Sequence, residues 1–170
     1  MAAEKIVELT DAELTKVATE TAESFVDSFY TALHISRATV GTYYQAAVAN
    51  EADAKRNLPF VCWNGEAYFS GTEFQKEFDK MPYFFLEVQS LNAHILNPCV
   101  SREGKKSHKE AERNVTISLQ VSGYVRLFER KDGPMRGFAD HIILTANKDT
   151  SKAGEGRQWV IQTQNFRFVV

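Results

Sequence analysis

The sequence predicts an α+β fold in which helices cover one face of a mainly antiparallel sheet. Three observations support this prediction: helical patterns are gathered near the N-terminus, an Asn-Gly dipeptide marks an early hairpin, and long strand patterns follow one another towards the C-terminus. Consecutive strands joined by turns pair antiparallel, and helices that are grouped in the chain pack together on one side of a sheet. The other face of the sheet is then left uncovered by this chain.

The first predicted element is a long amphipathic helix that begins after Thr10. Apolar residues between positions 14 and 33 recur on one stripe with the helical period of about 3.6 residues. Thr10 and Glu13 have the spacing of a capping box, in which a hydroxyl and a carboxylate satisfy free backbone N–H groups. A shorter helix is predicted over residues 37–44, and a loop over residues 50–59.

A β-hairpin is predicted at residues 60–69. Its turn is Asn64-Gly65, the dipeptide preferred where both turn residues need positive φ. Ser70 and Glu73 then have capping-box spacing, which predicts a short helix directly after the hairpin.

Long strands are predicted over residues 84–96, 114–129, 137–147 and 158–170. The pattern over 114–129 is the clearest, because its apolar and polar residues alternate and so lie on opposite faces. Gly123 interrupts the apolar row, and a glycine inside a strand often marks a bend or a bulge.

Residues 97–113 are predicted to form a polar loop of unusual length for a compact domain. Within it, residues 101–113 hold five basic and three acidic side chains, whereas residues 1–30 hold seven acids and two bases. We expect one domain over residues 1–170, with a basic insert at about 97–113.

Composition argues against several classes of function. A net charge of −2 over 170 residues implies no overall attraction to nucleic acid or membrane. No apolar run approaches the roughly 20 residues that a membrane-spanning helix needs, and we expect no secretory leader. Cys62 and Cys99 have no metal-binding spacing and are expected to be buried free thiols in a reducing compartment. We expect neither a metal ion nor a cofactor.

The most enzyme-like pair is Asp140-His141. Neighbours in a strand point to opposite faces, so the two side chains cannot line one cavity unless a bulge intervenes. We therefore expect no catalytic site.

Several segments resemble nuclear transport factor 2-like proteins, and among them the small subunits of mRNA export receptors. The segments are Phe-Val-Cys-Trp-Asn-Gly at 60–65, Ser-Gly-Thr-Glu-Phe at 70–74, Ser-Gly-Tyr-Val-Arg-Leu at 122–127, residues 137–146, and residues 158–168. The resemblance implies a cone in which a strongly bent sheet wraps the N-terminal helices.

The resemblance also implies a partner and a place in the cell. It implies a heterodimer, sheet to sheet, with the like-folded domain of the large receptor subunit. The heterodimer would contact Phe-Gly repeats and shuttle between nucleus and cytoplasm through the nuclear pore. Arg167 would face the partner and pair with an acid there. The 50–58 loop and the basic insert resemble the fungal branch, in which extra loops are linked to RNA and ribosomal-precursor cargo.

The expected interface lies on the exposed face of the sheet, because interfaces favour aromatic residues and arginine. Its expected members are Gln120, Tyr124, Phe128, Asp140, Gln164 and Arg167. The basic insert is either a solvated loop or a weak RNA contact, since lysine-rich segments bind phosphates by releasing counterions. The expected RNA contacts are Arg102, Lys105, Lys106, Lys109 and Arg113.

The predicted function is a non-catalytic nuclear export adaptor, and two alternatives stay open. One is a homodimeric import factor for Ran, and the other is an enzyme or small-molecule binder that uses the cavity of the cone. A titratable polar cluster inside the cone would favour the enzyme or binder. An interior filled by aromatic residues would favour the adaptor; the residues expected there are Phe25, Phe29, Tyr43 and Trp63.

Overall fold

The computed structural model describes residues 6–48, 52, 57–103, 107–148 and 157–169. The helices are α1 (Asp11–Ile35), a 3-10 helix (Arg37–Tyr43), α2 (Gly71–Phe78) and α3 (His108–Glu112). The strands are β1 (Phe60–Trp63), β2 (Glu66–Tyr68), β3 (Phe84–Asn97), β4 (Thr116–Leu127), β5 (Met135–Ala146) and β6 (Trp159–Val169).

The six strands form one mainly antiparallel sheet with the order β2-β1-β6-β5-β4-β3. Every neighbouring pair is antiparallel except β1 and β6, which are parallel. The predicted α+β class and the antiparallel succession of the long strands are therefore confirmed. Register shifts in β3 and between β5 and β6 interrupt the ladder, and such bulges bend a sheet.

The predicted irregularity at Gly123 is confirmed, although the extra residue lies on the neighbouring strand. Val88 pairs with Gly123 and Ser90 pairs with Ser122, so Gln89 is the bulged residue of β3. A Cβ atom at position 123 would overlap the carbonyl oxygen of Glu87. Only glycine permits this close approach of the two strands.

Helix α1 begins as predicted, with the reciprocal capping box between Thr10 and Glu13. Its apolar stripe is buried and packs against β3 and β4 on the inner face of the sheet. At the centre of the core, the Trp63 ring of β1 stacks on Phe166 of β6 with 3.9 Å between centroids and 9° between planes. The core therefore lies between α1 and the inner face.

The hairpin turn is confirmed, because Asn64 and Gly65 both have positive φ, at 50° and 90°. The second capping box is only half formed. The Ser70 hydroxyl accepts from the Glu73 amide, but the Glu73 carboxylate accepts from the backbone N–H of Phe69 rather than that of Ser70.

Two predictions about the insert and the cysteines are wrong. Residues 97–113 are not all loop, because α3 forms there with its own capping box between Ser107 and Glu110. Cys99 is exposed, since it follows the end of β3, and Cys62 is only half-buried. Most of the predicted 50–59 loop lies outside the described residues.

Candidate partner-binding face

The sheet presents an exposed face on the side opposite α1, which we call the outer face. Its central row runs across four strands and consists of Asn92, Gln120, His141 and Asn165, which are exposed cross-strand neighbours. The row beside it contains Arg167, whose neighbour on β5 is Ala139. Side chains alternate along β4, so burial of its apolar row on the inner face leaves its polar row on the outer face.

The centre of the outer face is a shallow depression of about 460 Å³ lined mainly by these hydroxyl, amide, imidazole and guanidinium groups. Ser118 Oγ and His141 Nε2 are hydrogen-bonded at 2.9 Å. In the described part of the chain, no carboxylate pairs with Arg167. The depression therefore offers hydrogen-bond donors and acceptors and one exposed positive charge.

Of the residues expected at the interface, Gln120, Tyr124 and Arg167 share the outer face. Tyr124 is 49% exposed and lies in one cross-strand row with Gly137 and Val169. Sequence reasoning missed His141 and Asn165 as parts of this face. The available signal was alternation, because His141 lies beside buried Ile142 in β5 and Asn165 lies beside buried Phe166 in β6.

Phe128, which was expected at the same interface, lies elsewhere. It follows the end of β4 in the left-handed backbone region, with φ of 67°, and is 61% exposed. It lines a separate cleft of about 360 Å³ together with Trp63, Met81 and Phe168. The strand alternation used to place Phe128 does not extend past Leu127.

Asp140 and Gln164 face the interior, which corrects their assignment to the interface. Tyr30 donates a hydrogen bond from its hydroxyl to Asp140 Oδ2 at 2.6 Å, and Gln164 Nε2 donates to the same oxygen at 2.8 Å. The hydroxyl of Tyr44 donates to Gln164 Oε1. We call Tyr30, Tyr44, Asp140 and Gln164 the buried polar cluster; their exposures lie between 0 and 5%.

Burial raises the pKa of Asp140 to about 7, although the hydrogen bonds from Tyr30 and Gln164 act to lower it. Burial, followed by the charge of Asp140, also raises the pKa values of Tyr30 and Tyr44. Asp140 Oδ1 is buried without a hydrogen-bond partner in the described part of the chain. The cluster could hold a proton near neutral pH, which is a property of acid–base sites.

The interior around the cluster is filled by aromatic side chains. Phe25, Phe29, Tyr43 and Trp63 are all buried, as expected for a plugged cone. Phe29 contacts the rings of Tyr30 and Tyr44 edge-on, at centroid distances of 5.3 and 6.4 Å. These rings fill the space on the interior side of Asp140, whose side chain is 3% exposed.

The basic insert is only partly described. Arg102 and Lys109 are exposed, whereas Lys105 and Lys106 lie outside the described residues. Arg113 donates to Gln158 Oε1 at 2.6 Å and to the carbonyl oxygen of Asn147 at 3.0 Å. Arg113 therefore links the segments that follow β5 and precede β6. Because its guanidinium group already makes these hydrogen bonds, it is less available for a phosphate than its sequence position suggested.

This chain is similar to known proteins in its structure. No family model and no curated protein sequence matches the chain. A chain of the Chaetomium thermophilum Mex67 NTF2-like domain complexed with Mtr2 is 20% identical, with a TM-score of 0.70, over 90% of this chain and 99% of that one. A structure of Mtr2 is 19% identical, with a TM-score of 0.65, over the same shares of the two chains.

Nuclear transport factor 2 from Cryptosporidium parvum is 14% identical, with a TM-score of 0.57, over 96% of this chain and all of that chain. The chain therefore has a nuclear transport factor 2-like fold.

Among its described helices, none has the length and apolar character to cross a membrane. In the same part of the chain, no three His, Cys, Asp or Glu side chains are grouped as metal ligands.

Proposed function

We propose that this chain is a non-catalytic nuclear export adaptor. It pairs through its outer face with the nuclear transport factor 2-like domain of the large subunit of an mRNA export receptor. The likeness to Mtr2, and to a complex of Mtr2 with the Mex67 NTF2-like domain, supports this class of partner.

The observation that carries the proposal is the outer face itself. Four strands place amide, hydroxyl and imidazole groups in exposed rows there, with Arg167 beside them and Tyr124 at one end. A combination of aromatic, arginine and hydrogen-bonding side chains is typical of protein interfaces. A partner carboxylate at Arg167 would form a desolvated ion pair, which is costly to break from one side.

The mechanism is structural. Pairing of the two sheets shields both outer faces from water and stabilises the domain of the large subunit. The assembled pair then binds Phe-Gly repeats and shuttles its cargo between nucleus and cytoplasm. Exposed Arg102 and Lys109 support a weak, sequence-independent contact with RNA, because basic side chains bind phosphates by releasing counterions.

The geometry supports an adaptor better than an enzyme. The buried polar cluster has the titratable carboxyl that an acid–base enzyme needs, but all four members are at most 5% exposed. Catalytic groups must reach the substrate within hydrogen-bond distance. The closed interior therefore favours a structural role for Asp140.

The test is co-expression of the full chain with the nuclear transport factor 2-like domain of the large subunit from the same organism. We expect a 1:1 complex by size-exclusion chromatography with light scattering. Arg167→Asp should weaken the complex by at least tenfold in Kd, because it replaces an ion pair with a like-charge contact.

The matched control is Lys80→Asp, an equal change of charge at an exposed residue after α2. It should leave Kd within a factor of about two, because exposed ion pairs contribute little. A stable homodimer of the lone chain, or no complex with the large-subunit domain, would overturn the proposal.

A further inference from the structure

A groove lies at one corner of the outer face, where β3 and β4 meet the turn before β5. Its volume is about 320 Å³, and its lining includes Glu87, Tyr124, Arg126, Arg130 and Met135. We call it the arginine groove. It adjoins the outer face through Tyr124, which belongs to both.

The two guanidinium groups give the groove its chemistry. Arg126 is half-buried, and its Nη1 donates to the carbonyl oxygen of Gly133 at 3.1 Å, so its side chain is positioned while its other donors remain. Arg130 is exposed; burial, and after it the charge of Arg130, lowers the pKa of His34. In the described part of the chain, no carboxylate forms an ion pair with either arginine.

The walls of the groove are partly apolar. Tyr124 and Met135 are 49% and 56% exposed. The carboxylate of Glu87 accepts a hydrogen bond from the side-chain amide of Gln89 at 2.7 Å. Glu87 is the one carboxylate of the lining, against two arginines, so the groove is positive overall.

The same imbalance extends across the outer face, where Arg167 adds another unpaired positive charge. An acidic surface would be attracted to these charges. Guanidinium groups also match carboxylates geometrically, because they can donate two parallel hydrogen bonds.

We propose that the arginine groove receives an acidic segment of the partner chain, at a contact separate from Arg167. The segment carries carboxylates to Arg126 and Arg130, and an apolar residue beside them packs on Tyr124 and Met135. This inference rests on the proposed function, because it names the chemistry of the partner for that same face.

The experiment measures association of the full chain with the large-subunit domain over a series of salt concentrations. The groove variant is Arg126→Glu/Arg130→Glu. We expect its association rate constant at low salt to fall by about tenfold and its salt dependence to flatten, because electrostatic steering is lost. Arg126→Lys/Arg130→Lys should keep most of the association rate constant, because the charge is kept, and should lose affinity through faster dissociation, because lysine lacks the paired donors of arginine.

The control is Lys16→Glu/Lys76→Glu, which makes the same change of net charge at exposed positions on α1 and α2. It should change the rate constant by no more than about twofold. If the wild-type chain forms the complex and both pairs of substitutions change the association rate constant equally, the inference about the groove is overturned and the proposed function stands. Failure of the wild-type chain to form the complex overturns both.

A nucleic-acid role for the groove is tested by a second measurement on the same variants. The lone chain is titrated with a labelled oligouridylate, since exposed aromatic rings and arginines also bind single strands. If the groove variant loses that binding while its association with the partner is unchanged, the groove contacts nucleic acid and the inference is overturned. Unchanged oligouridylate binding with slowed partner association supports it.

Discussion

The substitution Asp140→Asn tests the charge state of the buried polar cluster. The side chain of Asp140 is 3% exposed, and one of its carboxylate oxygens has no partner among the described residues. Asparagine has nearly the same shape, and its carbonyl oxygen can still accept from Tyr30 and Gln164. The substitution therefore removes the titration while it keeps both hydrogen bonds.

The sign and size of the effect follow from the pKa of Asp140. Its value is about 7 in the folded chain, against 3.8 for the free side chain. The fold therefore favours the neutral form of Asp140. The stability that this preference contributes is fully present below pH 3.8 and is lost as the pH rises from there through 7. At about 1.4 kcal/mol per pH unit, the full loss is roughly 4 kcal/mol in the free energy of unfolding.

The assay is urea denaturation from pH 4 to pH 8, followed by the fluorescence of the two tryptophans, Trp63, whose ring is buried against Phe166, and half-buried Trp159. The free energy of unfolding of the wild-type chain should fall relative to that of Asp140→Asn as pH rises. The difference should change by several kcal/mol over this range. Asp27→Asn, at an exposed position of α1, is the matched control for the loss of one carboxylate.

A Tyr30→Phe variant distinguishes the hydrogen bond from the burial. The Tyr30 hydroxyl lowers the pKa of Asp140, so its removal should move the transition in stability to higher pH. The reasoning is refuted if the difference between wild type and Asp140→Asn is the same at pH 4 and pH 8.

Two further predictions concern packing, and both are checked by urea denaturation at constant pH. Gly123→Ala should destabilise the fold by about 1–3 kcal/mol because its methyl group meets the β3 backbone, whereas Gly137→Ala, with ordinary contacts, should be nearly neutral; equal effects would contradict the close-approach argument. Phe166→Ala should cost about 3–5 kcal/mol, since the ring is fully buried between Trp63 and Phe138. Phe128→Ala, at a 61% exposed ring, should cost less than about 1 kcal/mol, and a loss as large as that of Phe166→Ala would show that Phe128 belongs to the core.

Local sequence patterns predicted most of the elements, because their signals are short-range. The stripe and capping box of α1 and the Asn-Gly turn depend on residues within a few positions of one another. The parallel pairing of β1 with β6 depends on strands about 100 residues apart, and no local pattern encodes it. The five-residue α3 is too short to show a helical period.

The error at Asp140 and Gln164 has a different cause. Asp140 has the same parity in β5 as buried Phe138 and Ile142, and Gln164 has the parity of Phe166 in β6. The alternation therefore points both side chains inward, although both were expected at the interface. A buried polar residue that breaks an apolar row is the informative signal, because its burial requires hydrogen-bond partners.

The same two strands thus carry polar groups on both faces. Inward, Asp140 and Gln164 tie β5 and β6 to Tyr30 of α1 and to Tyr44 beyond the 3-10 helix. Outward, the residues next to them in sequence, His141 and Asn165, form part of the central row of the outer face. These three hydrogen bonds restrict how α1, β5, β6 and the segment at Tyr44 can move relative to one another. The cluster therefore helps to hold in place the strands that a partner would bind, and a preorganised surface loses less entropy on association.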